Sequence, residues 1–144
     1  MEHIAIMKKS WGLTERILSG DKTIESRWYA SRSAPWGRIS PGESLYFKNS
    51  GEPVTIRATV SKVLQFDNLN QKKVNSILNR YWKEDGLEKE DVPKFFDLFK
   101  NKKYCILVFL KGAKKIKPFN INKSGFGAMS AWIMVDGLSK IKTG

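Results

Sequence analysis

The sequence predicts an α+β fold, and three stretches carry that prediction. Val54, Ile56, Ala58 and Val60 alternate with Thr55, Arg57, Thr59 and Ser61, the period of a strand with one dry face. Tyr104 to Leu110 is apolar without a break, too continuous for a half-exposed strand and too short for an ordinary helix, so it reads as the central buried strand. Between them Val74, Ile77, Leu78 and Tyr81 recur at helical spacing and predict an amphipathic helix over 69–82. At 144 residues and 41% hydrophobic content, the chain fits one domain, 1–144, with its own core.

In chain order, His3 to Lys8 reads as a first strand. His3 is the only histidine; one residue cannot make a histidine-cluster metal site, and a position near a frayed end disfavours it as a base. Ser10 is placed to cap a helix from Trp11 to Ser19, with Leu13, Ile17 and Leu18 inward. Gly20 then reads as the residue just past the helix end, where a left-handed backbone costs a residue without a side chain little. From Thr23 to Trp28 the pattern alternates, sending Thr23, Glu25 and Arg27 to one face and Ile24, Ser26 and Trp28 to the other. Two strands, 44–48 and 54–64, follow a loop over 28–38 and are separated by a turn at 49–53. After the helix at 69–82, a second runs from Val92 to Phe99, started by Asp91 and by Pro93 in its first turn, with Phe95, Phe96, Leu98 and Phe99 as apolar bulk. This pair is read as packing against the sheet. Lys114 to Phe119 reads as an edge strand, where lysines and Pro118 deter pairing with other chains. Trp132 to Val135 is the last main strand, with Trp132 in the core and Asp136-Gly137 as a hairpin turn.

The ionic face near the start of the chain concentrates the chemistry. Glu25 and Arg27 stand about 6 to 7 Å apart at two strand steps, and Lys22 at the strand mouth can lean over both. The run Gly20, Lys22, Glu25, Arg27 matches G-x-K-x-x-E-x-R and resembles the signature of the ASCH domain, a branch of the PUA-like superfamily. Pro41-Gly42-Glu43-Ser44-Leu45-Tyr46-Phe47 is similar to that family's P-G-(D/E) turn into the next strand. The resemblance covers Ile4 to Val135, with 67–102 as a helical insertion. It implies a mixed β-barrel with a cleft where Lys22, Glu25 and Arg27 cluster, associated in the family with RNA or nucleotide recognition.

Charge points to the same class of partner by an independent route. A net charge of +12 costs self-repulsion and steers a protein towards phosphate, with an anionic membrane surface as the rival. No acidic residue lies between Asp97 and Asp136, while Lys100, Lys102, Lys103, Lys111, Lys114, Lys115, Lys117 and Lys123 do. Glu84, Asp85, Glu88, Glu90 and Asp91 form an acidic cluster that leaves the opposite region basic. No stretch approaches the roughly 18 to 20 apolar residues of a membrane span. The start Met1-Glu2-His3 lacks a basic or apolar leader, and the single Cys105, set in the apolar run, reads as a small buried hydrophobe; a cytoplasmic location is the expectation.

The loop after the signature strand interleaves Trp28, Tyr29 and Trp36 with Arg32 and Arg38, the residue types that stack bases and pair phosphates. Lys114, Lys115 and Lys117 can follow a phosphate backbone as well as guard an edge. Near the end, Lys123 precedes Phe126, which Gly125 and Gly127 flank in a loop that can approach a ligand closely. The leading expectation is a module that binds nucleic acid or a modified nucleotide through Lys22, Glu25, Arg27, Trp28, Arg32, Trp36, Arg38, Lys114, Lys115, Lys117, Lys123 and Phe126. It needs no cofactor and no metal. A hydrolase is the second class: small relatives that resemble this domain deacylate a modified cytidine with a lysine, a threonine three residues on and a distant glutamate. Here Glu25 occupies the threonine position, so any catalysis rests on Lys22 and Glu25, and Glu25 between two cations is a weak base. A protein-interaction adaptor is the third. Charge and stacking serve RNA, DNA and a free nucleotide alike, and no signal speaks to oligomeric state.

Overall fold

The computed structural model describes residues 1–127 and 130–143. Its elements are β1 (Glu2–Met7), α1 (Leu13–Ser19), β2 (Ile24–Tyr29), β3 (Ser44–Asn49), β4 (Val54–Phe66), α2 (Gln71–Tyr81), α3 (Val92–Phe99), β5 (Tyr104–Ile121), β6 (Trp132–Val135) and β7 (Lys142–Thr143). The sheet runs β2-β5-β4-β3-β1-β6, with β7 against the far end of β5. β1 and β3 are parallel and the other ladders antiparallel, so the α+β fold has a mixed sheet, and it curls into a half-barrel. Arg27 on one end strand of the path spans to the other end, donating from Nη1 to the Ala131 carbonyl at 3.2 Å.

The uninterrupted apolar run of β5 follows from its place between β2 and β4. Ile106 and Val108 face the inside of the curl with Ala5, Leu45, Phe47, Ile56, Ala58, Val60 and Trp132. Cys105 and Leu107 face outward, where α2 and α3 cover them with Val74, Ile77, Leu78 and Phe95. Both faces of the strand are dry, so alternation gives way to continuity. Burial also raises the Cys105 thiol pKa far above its ordinary range, in keeping with a packing role.

Several expected elements take the predicted bounds: α3 spans Val92–Phe99 and β6 spans Trp132–Val135, with Trp132 buried. α2 begins at Gln71 rather than at 69, and Asn70 caps it by accepting from the Lys73 amide at 2.8 Å. Gly20 closes α1 at φ +87°.

Others differ. The first helix does not begin at Trp11 under a Ser10 cap: Lys9–Trp11 forms a single 3-10 turn, Gly12 intervenes, and Leu18 faces solvent. Trp11 is thereby turned outward. His3 is not at a frayed end. β1 lies between β3 and β6, and the His3 side chain is fully buried, accepting from Trp132 Nε1 at Nδ1 (3.1 Å) and donating from Nε2 to Glu43 Oε1 (3.1 Å). Burial lowers its pKa against the pull of Glu43, so the ring is held neutral. The lysine-rich strand is the second half of β5, still paired with β4 but without a strand beside 111–119 on its other side among the described residues, which keeps its edge character. Asp136-Gly137 makes no hairpin: Gly137 is extended at φ −160°, and a 3-10 turn at Leu138–Lys140 carries the chain to β7. Among the described residues, no helix is long and apolar enough to cross a membrane.

Candidate functional site

β2 is an end strand of the sheet, so one of its edges is open, and the site is built around that edge. The segment between α2 and α3 returns to it. The amides of Thr23 and Ile24 both donate to the Glu84 carbonyl, at 2.7 and 3.0 Å, and Lys22 and Asp85 form an isolated antiparallel bridge. Gly86 permits this approach: at φ +79°, a Cβ added there would stand 2.7 Å from Lys22 Cβ. Arg16 on α1 pins the same segment, donating from Nη1 to the Gly86 carbonyl and from Nη2 to Glu88 Oε1.

The result is a buried group of two cations and two anions. Lys22 Nζ lies 2.7 Å from both Asp85 Oδ1 and the Asp85 carbonyl, and 3.2 Å from Glu25 Oε1. Arg27 donates from Nε (3.1 Å) and Nη2 (2.8 Å) to Glu25 Oε2. Ser26 Oγ donates to Asp85 Oδ2 at 2.7 Å and accepts from Trp28 Nε1 at 3.3 Å. The Lys22 and Glu25 side chains are 1% and 4% exposed, too little for either charge to be held by water.

Mutual pairing decides the protonation states. Burial alone would lower the Lys22 pKa, but Asp85 and Glu25 outweigh it and hold the ammonium above its ordinary value. Burial would raise Glu25, and Lys22 and Arg27 overcome that and hold it ionised. Asp85 is different. Burial, with Glu25 adding to it, pushes its carboxyl up despite Lys22, so it takes a proton more readily than its partner.

Above this floor opens a pocket of about 280 Å³ that wraps the free edge of β2. Lys22, Glu25, Ser26, Arg27 and Asp85 supply its polar surface; Ile6, Met7, Leu13, Leu87 and the rings of Trp11, Trp28, Phe95 and Phe99 supply its walls. Trp28 stacks on Phe99 with centroids 4.9 Å apart and planes 5° apart, and Trp11 meets Phe95 edge-on at 5.5 Å. Lys8, also at the pocket, reaches over the Trp11 ring.

The structure thus brings together Lys22, Glu25, Arg27 and Trp28 of the sequence-predicted residues. The rest lie outside the pocket. Arg32 packs over Trp36 (5.9 Å) and Tyr104 (5.6 Å), a small cation–aromatic cluster at the start of β5, and Arg38 is exposed. Lys114, Lys115 and Lys117 stand in solvent on β5, where Arg57 is the cross-strand neighbour of Lys114. Phe126 is not a free loop aromatic: it packs against the cluster of Ile4, Tyr46, Val54 and Phe119, while Lys123 is half-buried and lowers the pKa of Lys48, secondarily to burial. Positions 128 and 129 of that loop lie outside the described residues.

Several of the pocket's residues escaped sequence reasoning. Asp85 is not part of a solvated acidic cluster but closes the ion group, and the insertion is more than packing because it supplies this carboxylate and the Phe95–Phe99 wall. The available signal was Asp85-Gly86, a turn dipeptide at the end of a helical pattern and inside an acidic run. Ser26 was assigned to the apolar face, and only the return of Asp85 makes it polar. Trp11 was hidden by the assumed start of α1.

No protein-family model matches the chain, and no curated protein matches it. Solved structures do. An ASCH protein from Zymomonas mobilis superposes with a TM-score of 0.68 at 18% identity, covering 99% of this chain and 96% of that one. A point variant of that protein gives 0.68 at 18% identity, covering 96% of this chain and 93% of that one. The N-terminal domain of Staphylothermus marinus McrB gives 0.52 at 10% identity, covering 83% and 76%. The chain therefore adopts the α+β fold of these ASCH proteins, as the resemblance of its G-x-K-x-x-E-x-R run implies.

Proposed function

We propose that the chain is a nucleic-acid or nucleotide binding module in which one base enters the pocket beside β2 and phosphate is held on the basic surface. The observation that carries this is the ionic floor of Lys22, Glu25, Arg27 and Asp85 under aromatic walls, in a space of about 280 Å³. That volume lies just below the range of small-molecule sites, about 300 to 1,000 Å³, and suits a single base rather than a folded polymer. Flat rings offer stacking to any base, and a fixed polar floor offers discrimination among them. The cations outside the pocket supply the length: Lys111, Lys114, Lys115 and Lys117 are exposed on β5, in a segment with no acidic residue from 98 to 135.

Binding is favoured over catalysis by the protonation states. An ionised Glu25 held by two cations is a poor proton acceptor, and a protonated Lys22 paired with Asp85 and Glu25 is no nucleophile. One observation favours a hydrolytic second reading: Ser26 Oγ donates to Asp85 Oδ2, a carboxyl whose pKa is raised, at the pocket surface. Product formed from a modified nucleoside by the natural chain and lost in Ser26→Ala would establish it.

The test is equilibrium binding of single-stranded RNA, single-stranded DNA and their duplexes across a salt series. With about five or six cations on single-stranded phosphate, log affinity falls against log salt with a slope of roughly −3.5 to −4. A slope near zero would overturn the reading and leave a protein-interaction adaptor. Glu25→Gln replaces an ionised acceptor with a neutral amide, and affinity should fall by about 1 to 3 kcal/mol in the fraction that remains folded.

A further inference from the structure

The floor of the pocket has an unequal supply of hydrogen-bonding groups. Lys22 donates to the Asp85 carbonyl and Asp85 Oδ1 and stands 3.2 Å from Glu25 Oε1 in an ion pair. The Ser26 hydroxyl proton goes to Asp85, the Trp28 indole proton to Ser26, and the Nε and Nη2 of Arg27 to Glu25. The second Nη2 proton of Arg27 reaches the Ile6 carbonyl and Met7 Sδ, and Nη1 donates to the Ala131 carbonyl and keeps one proton over. Acceptors are not exhausted. Each carboxylate oxygen offers two lone pairs. Glu25 Oε2 takes two protons from Arg27, whereas Glu25 Oε1 pairs with the Lys22 ammonium, and Asp85 Oδ1 and Asp85 Oδ2 each take one side-chain proton. The cations spend themselves largely inside the group, and the carboxylates of Glu25 and Asp85, both lining the pocket, keep acceptor capacity.

We infer that the pocket selects an amino-bearing base, of the adenine or cytosine kind, whose exocyclic NH2 donates to the spare acceptors of Asp85 and Glu25. An oxo group at the same position would set its lone pairs against theirs. The mouth completes the site: Trp11, 36% exposed and lining the pocket, is a stacking face for the base, and Lys8 over its ring is placed for the adjoining phosphate. This rests on the pocket being a nucleotide site, as proposed above, and adds the chemical class of the base and the residues at the mouth.

The experiment compares AMP with IMP and CMP with UMP, pairs in which an exocyclic NH2 gives way to an oxo group and the adjoining ring nitrogen turns from acceptor to N–H donor, by calorimetry on the full chain at low salt. The amino member of each pair should bind at least about tenfold more tightly, the range of one well-placed base contact. Equal affinity within both pairs, or preference for the oxo members, would overturn the amino selection while leaving nucleotide binding intact. Failure of all four to bind, with no single-stranded polymer bound either, would overturn the nucleotide reading and this inference together. Asp85→Asn turns an acceptor into a donor and should erase the preference. Because that change can unfold the chain, the comparison on the natural sequence decides the matter alone. Trp11→Ala should weaken both members of a pair by about the same factor, and a loss confined to one member would remove Trp11 as a stacking face.

Discussion

Lys22 and Lys114 carry the same charge and do opposite things. Lys22 is sealed at 1% side-chain exposure among Glu25, Asp85 and, through Glu25, Arg27, a group whose charges balance; Lys114 stands in solvent opposite Arg57 on a strand edge. In the first region each charge is fixed by another, so the group holds shape and offers a patterned set of acceptors but little net field. In the second, like charges accumulate without an acidic neighbour in the chain from 98 to 135, so the region offers field and little pattern. The proposed function assigns discrimination to the pocket and salt-sensitive attraction to the edge, and draws on both.

The sharpest way to break this contrast is to remove the buried cation. Lys22→Met leaves Glu25 and Asp85 facing each other without their shared partner, and the cost should be about 3 to 5 kcal/mol of folding stability, read by urea unfolding. Lys114→Met, in the same assay, should change stability by less than about 0.5 kcal/mol. Equal costs would mean that the two lysines are not in different environments at all. A second test acts on the edge. The triple change of Lys114, Lys115 and Lys117 to Glu should make the salt slope for single strands shallower by about 2 and lower affinity roughly a hundredfold at about 0.1 M salt. Mononucleotide affinity should not move; if it does, the edge and the pocket are one site.

The smallest expected effect tests the support behind the pocket. Trp132 carries the Arg27 guanidinium over its ring at 5.2 Å and donates to His3, which Glu43 holds from the other side, with the Met1 amino group and Arg38 as the nearby charges. The His3 pKa is lowered from 6.5 in the fold. Above 6.5 the folded and unfolded states are both neutral there and stability is at its full value. As pH falls below 6.5, the unfolded chain gains a proton that the buried ring refuses, so stability should decline by at most about 1.4 kcal/mol per pH unit until the folded pKa is reached. His3→Leu should flatten that limb in pH-dependent thermal melts, and an unchanged limb would assign the loss to another group.

What the sequence determined by itself was whatever neighbouring residues decide together. Alternation placed β4, an apolar run placed the buried half of β5, Pro93 after Asp91 placed α3, and Gly20 placed the end of α1. The spacing of Lys22, Glu25 and Arg27 made the ionic strand visible, because residues two and three apart share one strand's geometry. Only the tertiary structure decided which way that ionic face points and who completes it. Asp85 is 63 positions from Lys22, and apart from the Gly86 that follows it nothing local separates it from Glu84 or Glu88. Its burial follows from the insertion folding back on the open edge of β2, a contact permitted by a missing Cβ at Gly86. The same holds for His3, which local position marks as an end and the pairing of β1 with both β3 and β6 makes an interior. Long-range pairing sets both the burial of a charged or titratable group and the partners that, with burial, decide its protonation state, so the chemistry of this site became legible only once distant segments were in contact.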